Sequence, residues 1–160
     1  MGMSRMRPKI VSRDAFIVLG VVARLARGSE SPEVYAEIWR DFESMRSRIM
    51  PRIQDHSYYG VSFPADGKGW FDYMAGMVVD RDAPLPEGME KRTVPAAEYA
   101  VFTCALSSIG ETYQAIFREW QPNSSFAYDP SFPSFEQYPA EGNRDQNVRI
   151  HIPVRKYRRP

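Results

Sequence analysis

From Ser31 to Pro51 the sequence SPEVYAEIWRDFESMRSRIMP is patterned as one amphipathic helix, and the stretches on either side of it are patterned for strands. Val34, Ile38, Phe42, Met45 and Ile49 fall on one helical stripe. Ser31 suits the N-cap, Pro32 the first helical position, and Glu33 the positive end of the helix dipole. Pro51 stops the pattern, so the spacing predicts a helix over 33–49. Before it, residues 9–26 are rich in Val, Ile and Leu, with Gly20 interrupting them as in a long or bulged strand. After it, YYGVSF (58–63) and WFDYMAGMVV (70–79) read as two strands of a hairpin turned at Asp66-Gly67. A lone helix among antiparallel strands must bury its stripe on a sheet, which is the α+β class.

The same order then recurs. DAPLPEG (82–88) holds two prolines and a glycine and serves as a connector. MEKRTVPAAEYAVFTC (89–104) reads as a strand broken at Pro95. Ser108 to Glu111 matches a capping box, opening a helix over 110–120 with Tyr113, Ile116, Phe117 and Trp120 inward and Pro122 ending it. FEQYP (135–139) and NVRIHIPV (147–154) form a second hairpin. The expectation is a single domain of duplicated β-α-β-β units, about 9–81 and 88–155, whose strands form one continuous antiparallel curved sheet or two abutting ones, with both helices on one face and a concave pocket between the halves.

Several functions are disfavoured by composition. Twenty-one Lys and Arg against twenty Asp and Glu leave a net charge of +1, which provides no general field for nucleic acid. The basic residues at the ends (Arg5, Arg7, Lys9; Arg155, Lys156, Arg158, Arg159) read as solubilising tails, so no specific nucleic-acid partner is expected. The single cysteine, Cys104, excludes an internal disulfide or thiolate cluster and suits a reducing cytoplasm. His56 and His151 are far apart, which argues against a metal. Gly67-Lys68-Gly69 lies in a hairpin turn rather than a phosphate loop, so no cofactor is expected. The longest apolar run, AFIVLGVVA (15–23), is too short for a bilayer, and a soluble, cytoplasmic protein without a membrane partner is expected.

One short segment carries the functional question. In FPSFEQYPAEG (132–142) a carboxylate, Glu136, stands among aromatics. Strand alternation puts Glu136 and Tyr138 on one face and Phe135 and Gln137 on the other. Either Glu136 faces water, or it is the charged end of an aromatic pocket built for a cation. Burying an unpaired carboxylate costs several kcal/mol or raises its pKa, and an incoming cation relieves that cost.

The segments YGVSF, FDYMAGMVV, LPEGME, VPAAEYAVF, a helix ending in EW, FEQY and IHIPV, in that order, resemble the GyrI-like domain, also called the AraC-type or bacterial effector-binding domain, over about residues 10–155. The resemblance implies a pocket at a pseudo-two-fold axis that binds small cationic aromatic molecules. In multidrug-responsive regulators such a domain is joined to a helix-turn-helix reader. Only eight residues precede the first strand here, so a stand-alone member without a DNA-binding domain is expected. The resemblance places Glu136 against the ligand's positive charge, with Tyr99, Tyr59 and Tyr35 as pocket aromatics. Trp39 lies one turn from Tyr35 on the same helical face and is read with it as a wall of the ligand pocket. Phe71 and Tyr73 are read mainly as structural, and Trp120 as a packing anchor. The expected function is a binding module for cationic, amphipathic aromatic compounds. Two alternatives follow from stand-alone relatives. One is a hydrolase of cyclopropane-containing toxins using Glu136 and Tyr99. The other is a gyrase-inhibitor-like module whose partner is a protein, DNA gyrase or a regulator.

Overall fold

The long first strand breaks at Asp14 and Ala15 rather than at Gly20, giving β1 (Lys9–Arg13) and β2 (Phe16–Ala26). Gly20 lies inside β2, where a Cβ would overlap the carbonyl oxygen of Ala75 on the neighbouring strand. The computed structural model describes residues 6–65 and 69–156. The expected turn at Asp66-Gly67, Lys68, and the terminal Arg5, Arg158 and Arg159 lie outside the described residues.

The first helix, α1 (Pro32–Met45), begins where the sequence places it, with the Ser31 hydroxyl accepting from Val34 N–H at 3.3 Å. It ends four residues sooner than expected. Two single 3-10 turns, Arg46–Arg48 and Met50–Arg52, carry the chain past Pro51 while keeping Ile49 buried. The hairpin β3 (Tyr58–Pro64) and β4 (Trp70–Val78) follows, then β5 (Glu90–Val94) and β6 (Ala97–Cys104) on either side of Pro95.

The second helix departs from the expected capping box. Ser108 makes no side-chain cap, and Thr112 Oγ1 instead donates to the Ser108 carbonyl at 2.7 Å. After α2 (Ile109–Ala115) the helix widens into a π segment, Ile116–Trp120, in which Gln121 N–H donates to the Ile116 carbonyl. Pro122 does not stop it. A final turn, Gln121–Asn123, accepts the proline in its first positions, where its missing N–H costs nothing. Then come β7 (Phe126–Tyr128), a short strand the sequence pattern did not suggest, β8 (Ser134–Tyr138) and β9 (Val148–Lys156).

The strands form one sheet in the order β1-β6-β9-β8-β3-β4-β2-β5, with β7 added on β9 and every pair antiparallel. Both halves pair alike: β4 lies between β2 and β3, and β9 between β6 and β8. The halves meet twice. β3 pairs β8, and the two long strands pair each other in one continued register, with Arg13 opposite Ala97 and Phe16 opposite Val94.

Alternation then divides the side chains. On one face α1 packs Ile38 and Phe42 over Leu19, Tyr73, Ala75 and Met77, while the second helix packs Ile116 and Trp120 over Ala100, Phe102, Ile150 and Ile152. The opposite face curls on itself until Phe16 touches Tyr59 and Phe135, at ring-centroid distances of 5.6 and 5.4 Å. Among the described residues no helix is long and apolar enough to cross a membrane. The two helices thus share a face, and the β3–β8 seam runs between them.

Candidate functional site

A cleft of about 1240 Å³ opens on the helical face. Its walls come from α1 (Tyr35, Trp39), the hairpin (Tyr58, Phe71, Tyr73), the second helix (Tyr113, Phe117) and β8 (Glu136, Tyr138). Glu136 is 7% exposed and is met by phenols. The Tyr113 hydroxyl donates to Oε2, and the Tyr138 hydroxyl donates to Oε1 at 3.2 Å. Among the described residues it joins no ion pair. Burial pushes its carboxyl up to about 7, with the two phenolic hydrogen bonds pulling the other way. The phenols of Tyr73 and Tyr113 are in turn raised well above their ordinary value, first by burial and then by the charge of Glu136.

The aromatic walls brace one another. Trp39 Nε1 donates to the Tyr73 hydroxyl at 3.1 Å. Tyr35 meets Tyr73 edge to face at 4.8 Å, and Trp39 meets Tyr138 at 5.5 Å and Tyr58 at 6.2 Å. Glycine makes this approach possible: Gly60, opposite Glu136 in the β3–β8 ladder, leaves the space that the Tyr73 hydroxyl fills. At the mouth, Arg46 hydrogen-bonds the Tyr58 hydroxyl and Glu141, fixing that side of the rim.

The structure brings Glu136, Tyr35 and Trp39 together and keeps Tyr59 and Tyr99 away from them. Both of these tyrosines are fully buried on the opposite face, around Phe135. The reason is parity. Tyr58 is the member of the Tyr58-Tyr59 pair that shares the face of Gly60 and Glu136, so Tyr59 points through the sheet. There its hydroxyl donates to Asp55 at 3.0 Å and accepts from Arg13 at 2.9 Å. Tyr99 likewise alternates away from Ala100, which packs under the second helix. A Glu136–Tyr99 pairing for hydrolysis is therefore not formed. Sequence reasoning assigned Phe71 and Tyr73 to structure, yet both line the cleft, as do Tyr58, Tyr113 and Tyr138. Tyr138 was legible from its alternation with Glu136, and Tyr113 from its inward place on the helix. Trp120 is the packing anchor expected of it, edge-on to Phe102 at 5.1 Å.

Comparison with known proteins agrees with this architecture. Residues 9–154 match the family described as integron-associated effector binding protein, Cass2. Over 114 residues the chain is 34% identical to the transcriptional regulator BrlR of Pseudomonas aeruginosa, a match covering 70% of this chain and 41% of the regulator. The chain thus spans less than half the length of that relative. Among solved structures, SAV2435 bound to tetraphenylphosphonium superposes with a TM-score of 0.78 at 16% identity, covering 94% of each chain. An integron cassette protein from the mobile metagenome of Vibrio cholerae superposes with a TM-score of 0.66 at 22% identity, covering 94% of this chain and 97% of that one. At these identities the likeness to both structures is one of fold. The sequence match over nearly its whole length, on the fold it predicts, means that the chain belongs to the integron-associated effector-binding proteins, a family of GyrI-like effector-binding domains.

Proposed function

We propose that the protein binds an amphipathic aromatic cation in this cleft, holding it among Tyr35, Trp39, Tyr73, Tyr113 and Tyr138 and neutralising Glu136. One observation carries the reading: Glu136 is a buried carboxylate at the base of a large aromatic cleft and has no cationic partner among the described residues. Phenol hydrogen bonds only partly offset the desolvation of such a group, so a bound cation gains a charge-assisted contact that a neutral molecule cannot make. Each aromatic face adds about 0.5–2 kcal/mol of cation–π attraction. That SAV2435, similar in fold, was solved with tetraphenylphosphonium supports the choice of ligand class.

Titrating tetraphenylphosphonium and neutral triphenylphosphine oxide against the parent and Glu136→Gln proteins, by intrinsic fluorescence, tests it. The phosphonium should bind the variant roughly ten- to a hundredfold more weakly, equivalent to about 1–3 kcal/mol, with little change for the oxide. Affinity of the parent for the phosphonium should rise with pH through about 7 as the carboxyl ionises. Equal affinities in both proteins would overturn the reading.

A second reading has one observation in its favour. A carboxyl held near 7 and hydrogen-bonded by Tyr113 and Tyr138 has the protonation balance of a general acid–base. Mass spectrometry after incubation with a cyclopropane-containing alkylating agent separates the two readings, since a binding module returns the compound unchanged.

A further inference from the structure

The cleft has room for more than one cationic head. Its volume of about 1240 Å³ exceeds the roughly 300–1,000 Å³ that suffices for drug-sized ligands. Three further carboxylates line it: Glu30, Glu43 and Glu141. Two of these are occupied by Arg46, which lies 3.5 Å from Glu43 and 3.1 Å from Glu141. Glu30 is different. It stands exposed just before the N-cap of α1, and among the described residues it belongs to no ion pair. Tyr35, five residues further on and inside α1, lines the same cleft and packs edge-on to Tyr73 at 4.8 Å. The Tyr35 phenol is raised to about 12, chiefly by burial, and then by the negative charges of Glu30 and Glu136 acting on it together. Arg27, also on the lining, is engaged over the Phe71 ring at 5.2 Å.

We propose that the preferred ligand class is a two-headed cation, with one positive group at Glu136, the other at Glu30, and an apolar linker crossing Tyr35. The proposal rests on the cation-binding reading above and specifies its ligand. The two poles contribute unequally. Glu136 is desolvated and dominates affinity, while Glu30 is exposed and screened, so its share is that of a surface ion pair.

The probes are N-decylpyridinium and decamethylene bis-pyridinium, alike in linker and head group and differing in the number of heads. Both are titrated against the parent, Glu30→Gln and Glu136→Gln proteins at low salt. Two equivalent heads alone give about a twofold statistical advantage. The parent should prefer the bis-cation by about a further two- to fivefold, the size of an exposed ion pair. Glu30→Gln should remove that further factor and leave monocation binding unchanged, and raising the salt to about 0.5 M should do the same in the parent. A bis-cation preference no greater than twofold, or one that survives Glu30→Gln, overturns the proposal even where monocation binding depends on Glu136. Monocation binding that is absent, or indifferent to Glu136→Gln, overturns the cation reading and this proposal with it.

Discussion

Gly60 stands directly across the β3–β8 ladder from Glu136, and the side chain it lacks is replaced by the hydroxyl end of Tyr73. A Cβ at position 60 would overlap that hydroxyl and come within 3.1 Å of Glu136 Oε1. The aromatic cage and the carboxylate therefore share one space, and filling it should disturb both. Gly60→Ala is expected to cost about 1–3 kcal/mol in denaturant unfolding, the usual penalty for overpacking. At Gly110, in α2, a Cβ would meet no atom within 4 Å, so Gly110→Ala should stabilise by about 0.4–1 kcal/mol. A Gly60→Ala protein as stable as the parent would mean that the Tyr73 ring moves aside freely.

Two buried titratable groups should pull stability in opposite directions with pH. Glu136 is raised from 4.5 to about 7, so the native state holds its proton more tightly than the unfolded chain does. Its contribution is complete below about pH 4.5 and is lost as pH rises through about 7. His151, stacked on Phe135 at 4.1 Å, is lowered by burial from 6.5 to about 4. Its contribution is complete above about pH 6.5 and is lost as pH falls through about 4. Each effect is on the order of 3 kcal/mol from shifts of this size, so between about pH 4.5 and 6.5 they largely cancel in the parent. In urea titrations across that window Glu136→Gln should gain stability as pH rises, and His151→Phe should lose it. Parallel profiles for the parent and both variants would contradict the assignment.

Removing a hydroxyl should distinguish the two interior tyrosines. Tyr59 makes hydrogen bonds to Asp55 and Arg13, while the Tyr99 hydroxyl has no partner among the described residues. Tyr59→Phe is expected to cost about 1–3 kcal/mol, and Tyr99→Phe to be neutral or stabilising, because an unpaired buried hydroxyl is lost along with its desolvation cost. Neither change should alter phosphonium affinity by more than about twofold, since both rings lie across the sheet from the cleft. A tenfold loss on Tyr99→Phe would return that residue to the ligand site.

Apart from β7 and the split of the first strand, element order and fold class were legible because they depend on local periodicity: the stripe Val34-Ile38-Phe42, the strand break at Pro95, and the alternation that puts Glu136 with Tyr138. What stayed hidden depends on register. In YYG, one tyrosine must face the cleft and the other the interior, and nothing local decides which; pairing of Gly60 with Glu136 does. The same holds for Phe71 and Tyr73, whose hairpin position was clear but whose facing side was not. The break at Asp14–Ala15 was equally hidden, being set where two long strands cross from one half's sheet into the other's, whereas Gly20 drew attention because of a contact with Ala75 that only the folded sheet contains.

The register that pairs Lys9 with Val101 and Gly20 with Glu90 also has a kinetic meaning. During synthesis β1 and β2 emerge long before β5 and β6, and until residue 101 is available one edge of the N-terminal half has no strand to pair with. Such long-range pairing slows folding and leaves an exposed strand edge that can capture another chain in the interval. Either half expressed by itself would keep that edge permanently, so the expected behaviour of the separated halves is aggregation, and of the two co-expressed halves, reassembly along this ladder.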